Sequence, residues 1–177
     1  MRKLEVGSGK RPTEGYVHMD VLPTMDMDVF HDAVETPYPF KDGEFSEIYS
    51  HWVLEHFAYR DIHRILKEWY RILENKGRIY AVTSNQEALN KAVADKTITW
   101  QEWVRITFGL KEPGEEGGSD VVTLPEVHKI AWNEEFARNI FTDCGFTSIE
   151  MYPTLECREP DGKIKCPGLT IIAFKYE

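Results

Sequence analysis

The chain has 177 residues, 42% hydrophobic and 29% charged, which is enough for one domain with a full core and excludes a disordered chain. Its 30 acidic and 21 basic residues leave a net charge of -9, which argues against nucleic acid, whose phosphates call for a basic face. No apolar run approaches the ~20 residues that span a bilayer. The first residues lack the basic-then-apolar layout of a secretory signal, so a cytoplasmic protein without membrane contact is expected. Three cysteines, Cys144, Cys157 and Cys166, are an odd number with poor zinc spacing, so neither a disulfide framework nor a metal site is expected.

In chain order, short β-rich runs alternate with helical patterns. Strands are predicted over Lys3–Val6, Tyr16–Asp20, Met27–His31 and Glu47–His51. A helix follows over Tyr59–Glu74, where Ile62, Ile65, Leu66, Trp69, Tyr70 and Leu73 form one stripe on a 3.6-residue period. Arg78–Thr83 reads as the next strand. Trp100–Phe108 reads as a helix with Thr99 and Glu102 at capping-box spacing and an apolar side of Trp100, Trp103, Val104 and Phe108. Lys111–Asp120 is polar and glycine-rich and reads as a mobile loop. Glu134–Cys144 is a helix capped by Asn133 and stopped by Gly145, with Phe136, Ile140, Phe141 and Cys144 inward. Thr147–Tyr152 and Leu169–Lys175, with no helical pattern between them, pair as a final antiparallel hairpin.

This order gives an α/β fold: a Rossmann-like, doubly wound, seven-stranded sheet, mostly parallel, in a single domain over 1–177 with an insertion or lid region at about 85–128. The connections between the first three strands are about six residues long, against the dozen or more of an ordinary parallel crossover. They leave sheet surface that helices usually cover, so a homo-oligomer is expected.

Leu4-Glu5-Val6-Gly7-Ser8-Gly9 runs a strand into a glycine turn, and Val17-His18-Met19-Asp20 ends the next strand in a carboxylate. A bare turn lets a ligand approach the backbone, and a carboxylate on the adjacent strand tip can grip ribose hydroxyls. A dinucleotide does not fit. Pro12 stands where G-x-G-x-x-G needs its third glycine, there is little room for a phosphate-binding helix, and Asp20 lies only eleven residues past Gly9. A nucleoside with a fixed positive charge fits better, because Glu5, Asp20 and Asp32 fall at the carboxyl ends of three strands.

Glu5-Val6-Gly7-Ser8-Gly9 resembles the first motif of class I S-adenosylmethionine-dependent methyltransferases. The block Pro39 to Phe57, with Leu54-Glu55-His56 near its end, is similar to that family's fourth-strand region. Arg71 to Arg78 resembles the entry to its fifth strand, and Cys144-Gly145-Phe146 the turn before its sixth. The overall pattern is nearest to short bacterial methyltransferases of the type 11 kind. The resemblance implies S-adenosylmethionine as cofactor. Gly7, Ser8 and Gly9 would pass its methionine part and Glu5 would reach its amino group. Asp20, with Val21 beside it, would hold the ribose. Asp32 and Ala33 would border the adenine, and Ser50 and His51 would line the methionine side.

The implied activity is methyl transfer to a small-molecule or glycan-type acceptor, a displacement at carbon that depends on alignment and, for oxygen or nitrogen acceptors, on a base. His128, His51 and His56 are the candidate catalytic residues, with His128 preferred because His128-Lys129 precedes the helix that the family sets beside the acceptor cleft. Trp100 and Trp103 are expected as lid core. Glu55 and His56 read equally well as solvent-exposed residues at a helix start. The rival reading is a non-catalytic nucleoside-binding or assembly protein on the same fold.

Overall fold

Residues 2–22, 27–110, 127–154 and 167–176 are described by a computed structural model. Seven strands form a single sheet: β1 Arg2–Val6, β2 Val17–Asp20, β3 Val29–Phe30, β4 Phe45–His51, β5 Leu73–Ser84, β6 Thr147–Thr154 and β7 Gly168–Phe174, in the order β3-β2-β1-β4-β5-β7-β6. The first five are parallel and β7 runs antiparallel between β5 and β6. The expected seven-stranded sheet with a terminal antiparallel pair is therefore present. Its winding reverses between β1 and β4, the place where open α/β sheets leave a crevice at the carboxyl ends of their strands.

Strand alternation sends Leu4, Val6, Met19, Ile48, Ile79, Ala81, Leu169, Ile171 and Ala173 into the core. Two helices complete that core. In α1, Tyr59–Ile72, the inward residues are Ile62, Ile65, Leu66, Trp69 and Ile72. In α4, Glu134–Asp143, they are Ala137, Ile140 and Phe141. On the sheet's other face Tyr49, Tyr80, Ile172 and Phe174 stay part-exposed. No helix lies between β1 and β4 among the described residues; the first two connections, residues 7–16 and 21–28, are ten and eight residues long rather than about six, still short for parallel crossovers.

The caps read from sequence hold. Thr99 and Glu102 form the capping box of α3, Trp100–Phe108, and Asn133 accepts from the Phe136 amide at the start of α4. Several boundaries differ. The expected helix end at Glu74 moves to Ile72, because Leu73 turns extended and pairs with Phe45 as a buried sheet residue. The five-residue strand Met27–His31 shrinks to Val29–Phe30, a sheet edge where Phe30 is 65% exposed. A helix that sequence missed, α2 at Gln86–Ala94, is capped by the Asn85 side chain.

The apolar side of α3 is also corrected. None of its residues is buried, and Trp100 is 68% exposed, so it is not lid core. Trp103 instead donates its indole N–H to Asn90 at 3.0 Å. The expected loop Lys111–Asp120, and Cys157 and Cys166, lie outside the described residues. Cys144 is buried with its thiol toward the His63 carbonyl, and burial pushes it up to about 11, so it is an inert core thiol.

Glu68 ties the loop before β4 to α1. It is nearly buried and accepts from the Tyr38 amide at 2.6 Å and from Arg71 Nε at 2.9 Å. Burial opposes its charge, but the bonds from Arg71 and Tyr38 outweigh this and hold its carboxyl below the usual range. A depressed folded-state value gives stability that is present above the unfolded value and lost as pH falls through the folded one. Glu68→Ala is expected to cost about 2 kcal/mol at neutral pH, the penalty for stranding the Tyr38 amide and the Arg71 head. Urea denaturation at pH 7 and pH 3 checks this, with the gap between the two proteins shrinking at the lower pH.

Candidate functional site

Four strand ends and the loops that leave them build the site. β1 ends at Val6, and Gly7 turns with φ +74°, donating its amide to the Met19 carbonyl at 2.8 Å. A Cβ there would overlap Val53 Cγ2, so only glycine lets the turn pass the start of the 3-10 turn at Leu54–His56. Gly9, φ +57°, faces open space: nothing lies within 4 Å of a Cβ placed on it.

Asp20 secures this turn. Its Oδ2 accepts from the Gly9 amide at 2.7 Å and its Oδ1 from the Leu22 amide at 2.8 Å. It is 8% exposed at the end of β2, and each oxygen keeps a second lone pair for a ligand hydroxyl. Val21 follows it and is exposed, as is Leu22. Glu5, at the end of β1, meets a loop that the sequence did not point to. Both its oxygens bind Thr13, one to the amide at 2.7 Å and one to the hydroxyl at 2.8 Å, so it anchors the loop that crosses the site.

Asp32 and Ala33 sit beyond β3. Asp32 Oδ1 accepts from the Val34 amide at 2.9 Å, and the Ala33 carbonyl accepts from the Tyr38 hydroxyl at 2.7 Å. Both help fold a compact turn at the rim. Ser8 and Ser50 are buried, and neither hydroxyl has a partner. Ser50 stands in register with Val6, so these two orphaned hydroxyls flank the crevice between β1 and β4. Buried polar atoms ordinarily find partners, and two unpaired hydroxyls beside an open glycine turn make this crevice a candidate ligand site.

The three candidate histidines do not gather in one place. His51 stacks on Tyr49, with ring centroids 6.2 Å apart, and meets Trp52 edge-on. It therefore shares a sheet face with Tyr49, opposite to Ser50. His56 and His128 do come together, with ring centroids 5.0 Å apart. Burial lowers the His128 imidazole below its usual value, against the pull of the Thr107 and Ile106 carbonyls, so the ring is neutral near pH 7.

The residue that sequence underrated is Glu55. It is fully buried, the opposite of a solvent-exposed helix start. Trp52, at φ 56°, bends the chain back, and its amide bonds the Val82 carbonyl at 2.8 Å. This drops Glu55 onto the end of β5, where the Thr83 hydroxyl donates to it at 2.8 Å. Burial pushes its carboxyl up to about 7, only partly offset by its backbone bond and Thr83. The Leu-Glu-His run was the visible signal; its inward turn was not.

Residues 11–81 match the model of a methyltransferase domain family. The fold is similar to that of the carbon methyltransferase CurJ (TM-score 0.62, 18% identity), covering 100% of this chain and 49% of that one. The chain thus spans about half the length of that protein. It is similar over 99% of its length to a methyltransferase from Methanosarcina mazei, of which it covers 92%, with TM-score 0.60 and 18% identity. It also resembles 1,6-didemethyltoxoflavin-N1-methyltransferase from Burkholderia thailandensis (TM-score 0.62, 12% identity), covering 99% of this chain and 71% of that one. No curated protein matches the sequence significantly. The sheet with its antiparallel β7 thus has the fold of these methyltransferases, and residues 11–81 carry the similarity to the methyltransferase domain.

Proposed function

We propose that this protein binds S-adenosylmethionine in the crevice between β1 and β4 and transfers its methyl group to a small-molecule or glycan-type acceptor. The observation that carries the reading is the pair of buried, unpartnered hydroxyls of Ser8 and Ser50 beside the open turn at Gly9. The Burkholderia relative holds S-adenosylhomocysteine on the same fold, which supports the choice of ligand.

The residues fit that ligand as follows. Gly7 and Gly9 give the methionine part access to backbone, and Ser8 and Ser50 supply hydroxyls to its polar end. Asp20 offers its spare lone pairs to the ribose. Asp32, Ala33 and Val21 border the base, with Val21 providing apolar cover. Glu5 acts through Thr13, by setting the loop, and His51 stands at the rim. Bound there, the cofactor supplies a methyl group on a cationic sulfur. Acidic side chains around the crevice favour that charge.

The acceptor end belongs to Glu55, His56 and His128. Holding the nucleophile in line accounts for most of the acceleration open to such a site. An oxygen or nitrogen acceptor also sheds a proton, and the neutral His128 imidazole can take it. The test is release of S-adenosylhomocysteine on incubation with a panel of hydroxylated sugars, phenols and amines. Turnover with a member of the panel, lowered at least about 100-fold by His128→Ala, is the expected result. Cofactor binding without turnover on any acceptor would instead support the non-catalytic reading.

A further inference from the structure

Three metal-binding side chains from two distant segments meet at the acceptor end. Glu55, His56 and His128 each present one ligand atom, and these atoms lie within 4.8 Å of one another. Glu55 is fully buried. One of its oxygens takes the Thr83 hydroxyl at 2.8 Å; the other, Oε1, is buried without a partner. Nδ1 of His128 is buried and unpartnered as well.

These two atoms do not satisfy each other, as they would in an ordinary proton-sharing carboxylate–imidazole pair. Leaving both unpaired out of water costs free energy that a cation between them would recover. One ring is also held as a ligating imidazole is held: the Val127 carbonyl lies 3.4 Å from His56 Nδ1. Carbonyls behind an imidazole fix its tautomer and aim its other nitrogen.

We propose that Glu55, His56 and His128 bind a divalent transition-metal ion at the acceptor end of the crevice, leaving a coordination position for an oxygen of the acceptor. Two imidazoles and a carboxylate suit zinc, cobalt or iron rather than magnesium, which prefers oxygen donors and keeps its waters. Bonds of about 2.1 Å would bring the three donors to about 3.0–3.4 Å apart, a contraction within reach of side-chain rotation. Three protein ligands leave the open position typical of catalytic sites. With the metal bound, His128 is a ligand and no longer the base: an acceptor hydroxyl at the open position would release its proton to bulk water, its oxygen would attack the methyl carbon, and the methyl–sulfur bond would break with its electron pair left on the sulfur. That role rests on the methyl-transfer reading; metal binding itself does not.

The test uses the whole chain, untagged and metal-free, titrated with Co2+ alone and followed by visible absorption. The expected result is a set of visible bands that saturates at one Co2+ per chain, shows no sulfur-to-metal charge transfer, and is displaced by Zn2+ but not by a hundredfold excess of Mg2+. His128→Ala and His56→Ala should each weaken binding at least about 100-fold. His63→Ala, which removes the exposed imidazole beside Asp143, should leave it unchanged. Thermal melts identify any variant that does not fold, and His128→Gln then takes the place of His128→Ala. Absence of saturable bands up to millimolar Co2+, bands that survive both substitutions, or a sulfur charge-transfer band would overturn the proposal. Because the probe is cobalt without cofactor or acceptor, failure here is distinct from failure of the methyl-transfer reading.

Discussion

Gly7→Ala is expected to weaken cofactor binding at least about 100-fold. Two costs combine. A non-glycine residue at φ +74° bears about 1 kcal/mol or more of backbone strain. The new Cβ also overlaps Val53 Cγ2, a branched side chain with little freedom to swing away. Overpacking of this kind costs about 1–3 kcal/mol, and a total near 3 kcal/mol corresponds to a factor of about 100. The damage falls on the cofactor because Gly7 is itself the turn that the cofactor's methionine part approaches, and it ties β1 to β2. The double variant Gly7→Ala/Val53→Ala removes the overlap but not the strain, so it should recover about half of the lost binding free energy. Titration calorimetry with S-adenosylhomocysteine on both variants measures this. Equal losses in the two would contradict the steric account.

Asp20→Ala is the second large effect, an expected loss of about 30-fold or more in affinity for the same ligand. The substitution strands the Gly9 and Leu22 amides and removes the acceptor placed for the ribose. Two hydrogen bonds at about 1 kcal/mol each, with the charge on the acceptor, account for that factor. Asp20→Asn keeps one acceptor oxygen and should fall between wild type and Asp20→Ala. Calorimetry again decides, and equal affinity in all three proteins would refute the ribose role. Asp20 lies at the end of β2, away from the sheet core, so thermal melts should show a far smaller effect than Trp69→Ala, whose fully buried ring is worth about 3–5 kcal/mol.

Much of the fold was legible because local signals and tertiary burial agree. The stripe of α1, the capping box of α3 and the Asn133 cap of α4 are each decided within one or two helical turns. The failures mark places where distant residues decide. Leu73 continues the helical stripe in sequence, yet pairing with Phe45 makes it sheet. Phe30 is apolar like a core strand residue, but β3 is an edge with nothing over that side chain among the described residues. Trp100 and Trp103 looked like core by type alone, and the surface of α3 they occupy is not buried.

The positions of the residues proposed for the cofactor were legible for a similar reason. The glycines, Asp20 and Asp32 lie at strand ends that hydrophobic patterning locates well. The contact of Glu5 with Thr13 was not legible, since nothing in the spacing shows Thr13 folding back over eight residues to meet it. The cluster of Glu55, His56 and His128 was not legible. His56 and His128 lie in separate parts of the chain and are joined by the path that sets the Lys129 amide on the Glu55 carbonyl, the His128 amide on the Phe108 carbonyl and the Val127 carbonyl beside His56. Glu55 read as solvated because charged residues at helix starts usually are; the left-handed Trp52 reverses that by one bend of the backbone.

The central claim is that the crevice between β1 and β4 takes S-adenosylmethionine. Calorimetric titration of the wild-type chain with S-adenosylhomocysteine tests it most directly. The account predicts saturable binding of one ligand per chain in the micromolar range, with no binding of NAD. Absence of binding at millimolar ligand by a folded protein would contradict it.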